Sequence, residues 1–202
     1  MINTLRVKRM TGPSLEAYVP ALARLRIEVF REFPYLYDGD LGYEARYLQT
    51  YIEAPGSVIV LVFDSETVVG ASTALPLAEA DPAFRRPFHN QGYDPVEVFY
   101  LGESVLLPAY RGRGLGVHFF EEREAHARNL GGYAWAAFCA VDRPTDHPRR
   151  PPGYRPLDAF WSKRGYLRHP ELTAIYRWKD LDDQGESEKT MTFWLKRLAE
   201  EA

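Results

Sequence analysis

Residues 96–141 read VEVFYLGESVLLPAYRGRGLGVHFFEEREAHARNLGGYAWAAFCAV, and this stretch decides the fold. Its first part, residues 96–108, is rich in β-branched and aromatic residues and predicts a strand, with Gly102 as a bulge or a point of close approach. Residues 114–132 then have helical spacing and end in two glycines. The apolar run at 133–141 is typical of a central strand covered on both faces. A strand, a helix and a strand in this order predict a parallel pair of strands.

The predicted helix has an apolar face and a polar face. The first holds Val117, Phe120, Ala127 and Leu130, and the second holds Glu121, Glu122, Glu124 and Arg128. We expect the second group to face water. The strand that follows contains the one cysteine of the chain, Cys139, within the run AWAAFCAV. A thiol in such a run is more often part of the core than a nucleophile, so Cys139 is predicted to be buried.

The flanking sequence adds strands and helices on both sides of this unit. Hydrophobic spacing predicts strands at 4–10, 57–64, 67–77, 172–181 and 189–198, and helices at 12–34, 43–52 and 157–166. Pro20 is expected to kink or divide the first of these helices. The proline-broken residues 78–95 are predicted to be a loop with room for one helical turn. The resulting order, β-α-α-β-β-β-α-β-α-β-β, predicts an α+β fold with a mixed sheet of about seven strands and helices on both faces.

Composition places the chain among ordinary globular proteins. With 202 residues, 46% hydrophobic and 26% charged, it is long enough for one domain, which we assign to residues 1–202. A formal charge of -3 provides no basic field, so we expect neither a nucleic-acid partner nor a membrane. The N-terminal residues lack a signal-peptide pattern and the lone cysteine suits a reducing compartment, so a cytoplasmic location is expected. The histidines show no metal-ligand spacing, which predicts no metal site, and a homodimer is left open.

Residues 108–116, PAYRGRGLG, join the predicted strand to the helix. A Walker loop would end in Gly-Lys-Ser/Thr, and a dinucleotide fingerprint would need a glycine where Val117 stands, so both common nucleotide motifs are excluded. What remains is R-x-x-G-x-G at the start of a helix. Backbone amides without side chains, together with the helix dipole, suit a pyrophosphate there. Arg111 and Arg113 could add charge-assisted hydrogen bonds.

This run resembles motif A of the GNAT superfamily of acyl-CoA-dependent N-acetyltransferases, whose pattern is Q/R-x-x-G-x-G/A after a strand. The segment FWSKRGY at 160–166 resembles the second landmark of the family, and the predicted order of elements is similar to the GNAT fold over the whole chain. The resemblance implies an N-acetyltransferase that uses acetyl-CoA. It also implies that backbone groups of Leu106 and Leu107 pair with the pantetheine arm. The pyrophosphate would be wrapped by the amides of Arg111, Gly112, Arg113, Gly114, Leu115 and Gly116.

The chemistry expected of such an enzyme needs a base more than a nucleophile. An acetyl thioester is already activated, so an amine can attack it directly without a covalent enzyme intermediate. A lysine-like amine is mostly protonated at neutral pH, which makes a base useful. Glu103, beside Gly102, is the first candidate and Glu97 the second, although either could be a solvated or paired carboxylate. The Leu106 amide is expected to hydrogen-bond the thioester oxygen.

The proton donor to the departing thiolate is less obvious. The family commonly uses a tyrosine, but Trp161 stands at that place, and tryptophan cannot act as a general acid. Tyr154, in the preceding loop, is the suggested replacement, unless a water serves or no acid is needed; it could also simply anchor the loop. The arginine-rich loop from Arg143 to Arg155 is interpreted as a solvated segment, which could alternatively reach the adenosine phosphates or screen the substrate mouth.

The resemblance also implies that the acceptor lies against the first two helices and the loop between them, which here is FREFPYLYDGDLGYEARYL at 30–48. Aromatic residues among carboxylates suit a cationic amine with an apolar part. The substrate-binding candidates are Phe33, Tyr35, Tyr37 and Tyr43, although some of these rings could only pack the helix pair. Two functions stay open. One is acetyl transfer to a small amine or to an amine of a peptide or protein, and the other is a non-catalytic acyl-CoA-binding module, which Trp161 would allow.

Overall fold

The computed structural model describes residues 5–198, in which seven strands form one mixed sheet. The strands are β1 (Arg6–Met10), β2 (Val58–Asp64), β3 (Thr67–Pro76), β4 (Val98–Leu106), β5 (Trp135–Val141), β6 (Leu167–Trp178) and β7 (Ser187–Arg197). The helices are α1 (Val19–Phe30), α2 (Leu41–Glu53), α3 (Pro82–Asn90), α4 (Leu115–Leu130) and α5 (Asp158–Ser162). The strands are arranged as β1-β2-β3-β4-β5-β7-β6, and the predicted α+β class is confirmed.

Strands β4 and β5 are parallel, as the strand-helix-strand pattern predicted. They pair at only three positions, where residues 98–100 lie opposite residues 135–137. Beyond Tyr100, β4 continues beside β3 and β5 continues beside β7, so β4 and β5 separate toward their carboxyl ends. This separation, which we call the splay, leaves one edge of each strand open in the middle of the sheet.

The sheet separates two apolar layers, as predicted. Ile59 and Leu61 of β2 join the core under α1, α2 and α3. Val60 and Val62, which alternate with them, join the core on the other face, under α4. This period of two buries β2 on both faces. Within the described residues no helix is long and apolar enough to cross a membrane.

The first predicted helix, residues 12–34, is divided near Pro20 as expected. A 3-10 helix covers Gly12–Tyr18, and α1 begins directly after it. Helix α1 ends at Phe30, earlier than the sequence suggested. Residues 31–36 therefore form a turn instead of a last helical turn, and this turn reaches the site described below.

The prediction of a loop over residues 78–95 is wrong, because α3 occupies Pro82–Asn90. Pro82 stands in the first turn, where the missing amide of proline leaves no hydrogen bond unmade. The Asp81 side chain accepts a hydrogen bond from the Ala83 amide at 2.8 Å and caps the helix. The proline here marks the start of a helix.

Glu124 was predicted to face water and is instead buried, with 5% of its surface exposed. Its carboxylate accepts hydrogen bonds from the Tyr166 hydroxyl at 2.9 Å and from Lys196 Nζ at 2.7 Å. Helical spacing shows which residues share a face of α4. It does not show that distant residues supply partners for a charge on that face.

Gly102 lies at a bulge in β4, as predicted, where the register with β3 shifts opposite Thr73. A methyl group on Gly102 would collide with the Tyr51 hydroxyl and lie 2.6 Å from Thr73 Oγ1. We expect Gly102→Ala to lower the free energy of unfolding by about 1–3 kcal/mol, because packed side chains must shift. Urea denaturation measures the change. Gly185→Ala is the matched control, since nothing lies within 4 Å of its added methyl group, and equal losses in both variants would contradict the prediction.

Cys139 lies in the core, as predicted, with 5% of its surface exposed. Its sulfur is 3.3 Å from the Tyr100 hydroxyl, and burial raises the pKa of the Cys139 thiol to about 12. At pH 8 roughly one thiol in ten thousand is then ionised, so iodoacetamide should leave the folded protein unmodified. Intact-mass spectrometry measures the label, with unfolded protein at the same pH as the positive control. Rapid labelling of the folded chain would show that the thiol is accessible and ionised.

Candidate active site

A cleft of about 1770 Å³ opens at the splay, and we call it the main cleft. Its walls are the second half of β4, the start of α4, the end of β5 with the residues after it, α5, and the turn after α1. A smaller space of about 90 Å³, the inner cavity, lies on the α1 and α2 side of the sheet. The two spaces share the residues Phe30, Tyr35, Gly102 and Glu103 in their walls.

Backbone groups of β4 face the main cleft at alternate residues. The Leu107 amide donates to the Val69 carbonyl at 3.0 Å, and because antiparallel ladders alternate, Leu106 turns its own groups away from β3. The Leu106 carbonyl accordingly accepts a hydrogen bond from Arg111 Nε at 3.0 Å. The predicted pairing at Leu107 therefore loses its amide, and the Leu107 carbonyl already accepts one hydrogen bond, from the Tyr110 amide. Of the two leucines, only Leu106 can offer its amide to an extended ligand.

The chain between β4 and α4 exposes a run of amides, which we call the cradle. In the described part of the chain the amides of residues 112–116 donate to no backbone carbonyl. Gly112 and Gly114 have φ angles of 76° and 82°, a left-handed conformation that glycine adopts readily, and no atom lies within 4 Å of where a Cβ would stand on either. Successive free amides at a helix start suit a pyrophosphate. The Arg111 amide leaves the predicted set, because it donates to the Pro108 carbonyl.

Packing holds the first turn of α4 from both sides. Leu115 is buried against β2 and β3, with 8% of its surface exposed, so only its amide can reach a ligand. Gly116 lines the main cleft, and a Cβ there would lie 3.3 Å from the ring of Phe160 in α5. The first turn of α4 thus lies against the sheet through Leu115 and close to α5 at Gly116.

The side chains of the two arginines in this run are already engaged. Arg111 Nη1 pairs with Glu32 Oε2 at 2.8 Å, which links the cradle to the turn after α1. Arg113 Nη2 donates to the Ala109 carbonyl at 3.0 Å, and its guanidinium lies over the Tyr110 ring. A phosphate in the cradle would compete with Glu32 for Arg111. Arg113 instead stabilises the turn itself.

Glu103 follows Gly102 in the bulge and is almost completely buried, with 8% of its side chain exposed. Its Oε2 accepts a hydrogen bond from the Tyr47 hydroxyl at 2.8 Å, and its Oε1 pairs with Arg26 Nη1. The carboxylate is therefore paired, and it lies in the wall that the main cleft and the inner cavity share. The sequence predicted its place on β4 but not this ion pair.

Arg26 of α1 is buried between two carboxylates. Its Nε donates to Glu44 Oε2, its Nη1 contacts Glu103 Oε1, and its guanidinium lies 4.1 Å from the centre of the Tyr47 ring. Burial by itself would lower the pKa of Arg26, but the charges of Glu103 and Glu44 raise it well above its ordinary value. This cluster was not predicted from the sequence. The available signal was a charged residue inside the apolar stripe of α1.

Arg123 of α4 is a second buried arginine that the sequence analysis missed, with 1% of its surface exposed. Its Nη1 donates to the carbonyls of Thr73 and Glu103, each at 3.1 Å, and its Nη2 donates to Ser104 Oγ at 2.9 Å. Burial lowers the pKa of Arg123 to about 10, so it is still charged at neutral pH. Arg123 therefore holds the backbone of the bulge from the α4 face.

Glu97, the second candidate for a base, is exposed in a short 3-10 helix before β4. It precedes Glu103 by six residues, or roughly 20 Å along a strand. It does not line the main cleft or the inner cavity. The structure therefore excludes Glu97 as the base.

Tyr154 lines the main cleft at its outer wall. Its ring packs edge-on against Phe33 at 4.7 Å, and the Arg150 guanidinium lies over it at 5.1 Å. Burial raises the pKa of Tyr154, so its hydroxyl is protonated at neutral pH. Trp161 also lines the cleft and packs against Phe138 of β5. The position of Tyr154 is compatible both with anchoring the loop and with donating a proton.

The four predicted substrate residues divide between the two spaces. Phe33 lines the main cleft, Tyr37 and Tyr43 line the inner cavity, and Tyr35 borders both. The Tyr43 hydroxyl lies 2.8 Å from the Tyr176 hydroxyl, and this hydrogen bond links α2 to β6. Burial raises the pKa values of Tyr35, Tyr37 and Tyr43, so these phenols are neutral.

Arg143 holds the turn after α1 in place. Its guanidinium pairs with Asp180 at 2.8 Å and donates to the carbonyls of residues 34 and 35 at 2.7 and 2.8 Å. The interpretation of the arginine-rich loop as solvated is therefore wrong at Arg143, which is committed to the fold. Arg150 and Arg155, farther along the same loop, line the main cleft.

The chemical character of the two spaces comes from a few kinds of group. Arginines and aromatic rings line both spaces, together with the carboxylates of Glu32, Glu44, Glu103, Asp142 and Asp158. Across residues 5–198 no three His, Cys, Asp or Glu side chains are grouped so that they could hold a metal ion.

Comparison with known proteins gives both a family and a fold. Residues 22–149 match the model of the acetyltransferase (GNAT) family. The yncA protein of Salmonella typhimurium, solved with its cofactor acetyl-CoA, is similar at a TM-score of 0.59 and 13% identity, over 99% of this chain and 97% of that one. The ribosomal-protein-alanine N-acetyltransferase of Brucella melitensis gives 0.61 and 16%, over 96% and 99%. NAA60 of Arabidopsis thaliana, solved with a bisubstrate analogue, gives 0.63 and 13%, over 98% and 100%. No curated protein sequence matches significantly.

The two kinds of similarity support each other. The solved structures show the fold, because their sequence identities are low. The family match covers residues 22–149, more than half of the chain, and includes β4, the cradle and α4. The chain is thus an acetyltransferase and belongs to the GNAT family.

Proposed function

We propose that the protein transfers an acetyl group from acetyl-CoA to a primary amine. The observation that carries this proposal is that Glu103 lies in the wall that the main cleft and the inner cavity share. The main cleft contains the cradle of free amides, which suits a pyrophosphate. The inner cavity is lined by aromatic rings and carboxylates, which suit a cation. A thioester in the first and an amine in the second would meet at the splay.

Three features of the main cleft support acetyl-CoA as the donor. The amides of residues 112–116 are free to bind the pyrophosphate. The open edge of β4 at Leu106 can pair with the extended pantetheine arm. Arg150 and Arg155, on the outer wall, could approach the remaining phosphate. The similar yncA protein of Salmonella typhimurium was solved with acetyl-CoA, which supports the same choice.

The proposed reaction is a direct transfer with both substrates bound. The acetyl thioester supplies an acyl group that is already activated, so no covalent enzyme intermediate is needed. The amine nitrogen forms the C–N bond as the C–S bond breaks, the amine loses a proton and the thiolate gains one. The Leu106 amide would stabilise the thioester oxygen as its charge grows. A bisubstrate analogue was used with the Arabidopsis thaliana protein, in keeping with a site that holds both substrates.

Glu103 is the proposed base. It shares one guanidinium with Glu44, so the cluster has one negative charge in excess and can accept the proton of an ammonium group. Tyr154 is the proposed acid, because its protonated hydroxyl belongs to the wall of the main cleft. A water could serve in its place. A homodimer and a cytoplasmic location stay predictions from the sequence.

CoA should stabilise the folded protein, because the cradle exists only in the native state. At a CoA concentration about one hundred times the Kd the gain is about 2.7 kcal/mol, visible as a shift of several degrees in thermal unfolding. Gly114→Glu should abolish the shift, because it places a side chain and a negative charge at the cradle, where φ is 82°. Gly92→Glu is the matched control, with φ of 77° and nothing within 4 Å of its Cβ position, outside the cleft. A folded wild type without a shift would contradict CoA binding.

Glu103→Gln should lower kcat by roughly 10²–10⁴-fold near neutral pH, because the amine then lacks its base. The deficit should shrink as the pH approaches the pKa of the amine, about 10.4 for a lysine-like group, since neutral amine becomes abundant. Release of free thiol from acetyl-CoA, followed over a panel of amines and pH values, measures both effects. Glu97→Gln, an exposed carboxylate outside the cleft, is the matched control.

Two outcomes would change the proposal. Full activity of Glu103→Gln at every pH would show that Glu103 is not the base. A wild type that releases no thiol with any amine, while CoA still stabilises its fold, would favour the non-catalytic acyl-CoA-binding module.

A further inference from the structure

The inner cavity is a small space walled mostly by aromatic rings. The rings that enclose it between α2, α3 and β6 belong to Tyr37, Tyr43, Phe84, Tyr100, Tyr176 and Trp178. The same space is also lined by the charged side chains of Arg26, Glu44 and Glu103, which contact one another. The lining therefore combines aromatic rings with one group of charged side chains, of which Glu103 also lines the main cleft.

The charged group has two carboxylates for one cation. Glu44 is completely buried at 0% exposure, Glu103 is nearly so, and both pair with the same Arg26 guanidinium. Among residues 5–198 the buried Glu44 Oε1 has no hydrogen bond of ordinary geometry, and the neighbouring Tyr37 hydroxyl, whose pKa is raised by burial and by Glu44, is neutral and brings no positive charge. A buried negative charge without its own counter-ion is costly. The two carboxylates therefore keep one negative charge beyond the charge of Arg26, and a further cation in the cavity would offset it.

Nearby cations of the protein do not fill this role. Lys189, which lies 5.4 Å from the Trp178 ring, pairs with Asp180 and Asp183 at 3.4 and 3.6 Å. Arg123 approaches Glu103 from the α4 face and bonds its carbonyl, not its carboxylate. Neither Lys189 nor Arg123 pairs with the carboxylates of Glu44 and Glu103, so Arg26 is still the cation that these two carboxylates share.

We propose that the inner cavity holds a primary alkylammonium group on an unbranched chain. This inference rests on the proposed function and names its acceptor class. At about 30 Å³ for each water, a volume of about 90 Å³ corresponds to roughly three waters, which suits a short aminoalkyl chain and no bulkier group. The carboxylate pair binds the ammonium, and the rings bind the methylenes and the charge.

The walls favour an alkylammonium over the N-terminus of a peptide. A peptide N-terminus places an amide group beside its amine, and that group would need hydrogen-bond partners inside the cavity. The hydroxyls of Tyr43 and Tyr176 already bond each other at 2.8 Å, and the Tyr47 hydroxyl already donates to Glu103 at 2.8 Å. Methylenes need no such partners. The alkylammonium could belong to a free amine or to a lysine side chain.

Calorimetric titration of the full chain saturated with CoA tests this inference, since no reaction can occur without the acetyl group. n-Butylamine should bind at neutral pH, and n-butanol, its neutral analogue, should bind at least roughly tenfold more weakly. Glu44→Gln should weaken n-butylamine by roughly tenfold or more, because it removes the excess charge. Glu103→Gln removes the same charge and serves if Glu44→Gln does not fold. Glu28→Gln, an exposed carboxylate of the same helix as Arg26, is the matched control and should bind as the wild type does.

Nα-acetyl-lysine amide, compared with n-butylamine, tells whether the amine is free or belongs to a lysine side chain. Acetyl transfer, measured beside binding, separates this inference from the proposed function. Tighter binding of n-butylamine than of Nα-acetyl-lysine amide indicates a free amine, the reverse indicates a lysine side chain, and both orders support the inference. Equal binding of amine and alcohol, or no binding of either, would overturn it. Acetyl transfer to a peptide N-terminus without binding of alkylamines would also overturn it and leave the proposed function intact. Charge-selective binding without acetyl transfer would support the cavity assignment and contradict the proposed function.

Discussion

The short parallel pairing of β4 with β5 is the constraint on which the functional architecture depends. Three paired positions hold the two strands together at one end, and the separation beyond Tyr100 produces the main cleft. A full ladder would have used the backbone groups of β4 and closed the sheet. Because β4 also ends at the cradle and carries the bulge at Gly102, one strand positions three parts of the site.

Two buried arginines keep this open strand in place from opposite faces. Arg123 of α4 bonds the carbonyls and the hydroxyl around the bulge. Arg26 of α1 binds the Glu103 carboxylate and also joins α2 through Glu44. Breaking such a buried pair would leave an uncompensated charge, which makes these contacts strongly coupled to the fold. The geometry of Glu103 is therefore set by both layers of the molecule.

The turn after α1 connects the two sides of the main cleft. Glu32 pairs with Arg111 at the cradle, while Arg143 binds Asp180 and the carbonyls of residues 34 and 35. The first contact is exposed and would be weakened by a bound phosphate, because both compete for the same guanidinium. The second is mostly buried and holds the turn independently of any ligand. The turn can therefore keep its place when the first contact is broken.

Much of the fold could be predicted because its signals are local. Strand and helix periods, the parallel pair, the bulge at Gly102 and the division near Pro20 depend on residues close together in sequence. Where local signals were ambiguous the prediction failed, as at α3, where Pro82 begins a helix inside a segment expected to be a loop. The backbone preferences of a few neighbouring residues were enough to predict the strands, the bulge and the divided helix, and they were not enough to predict α3.

The sequence by itself determined the strand-to-helix cradle and the family, because the spacing of Arg111, Gly114 and Gly116 is a property of nine consecutive residues. Only the tertiary structure decided that Glu103 is paired, that Glu44 is buried beside it, and that the Leu107 amide is used by β3. The partners of these groups come from α1, α2 and β3, which lie far away in sequence. Charge pairs and backbone hydrogen bonds between distant segments depend on how whole elements pack, and no local pattern encodes that.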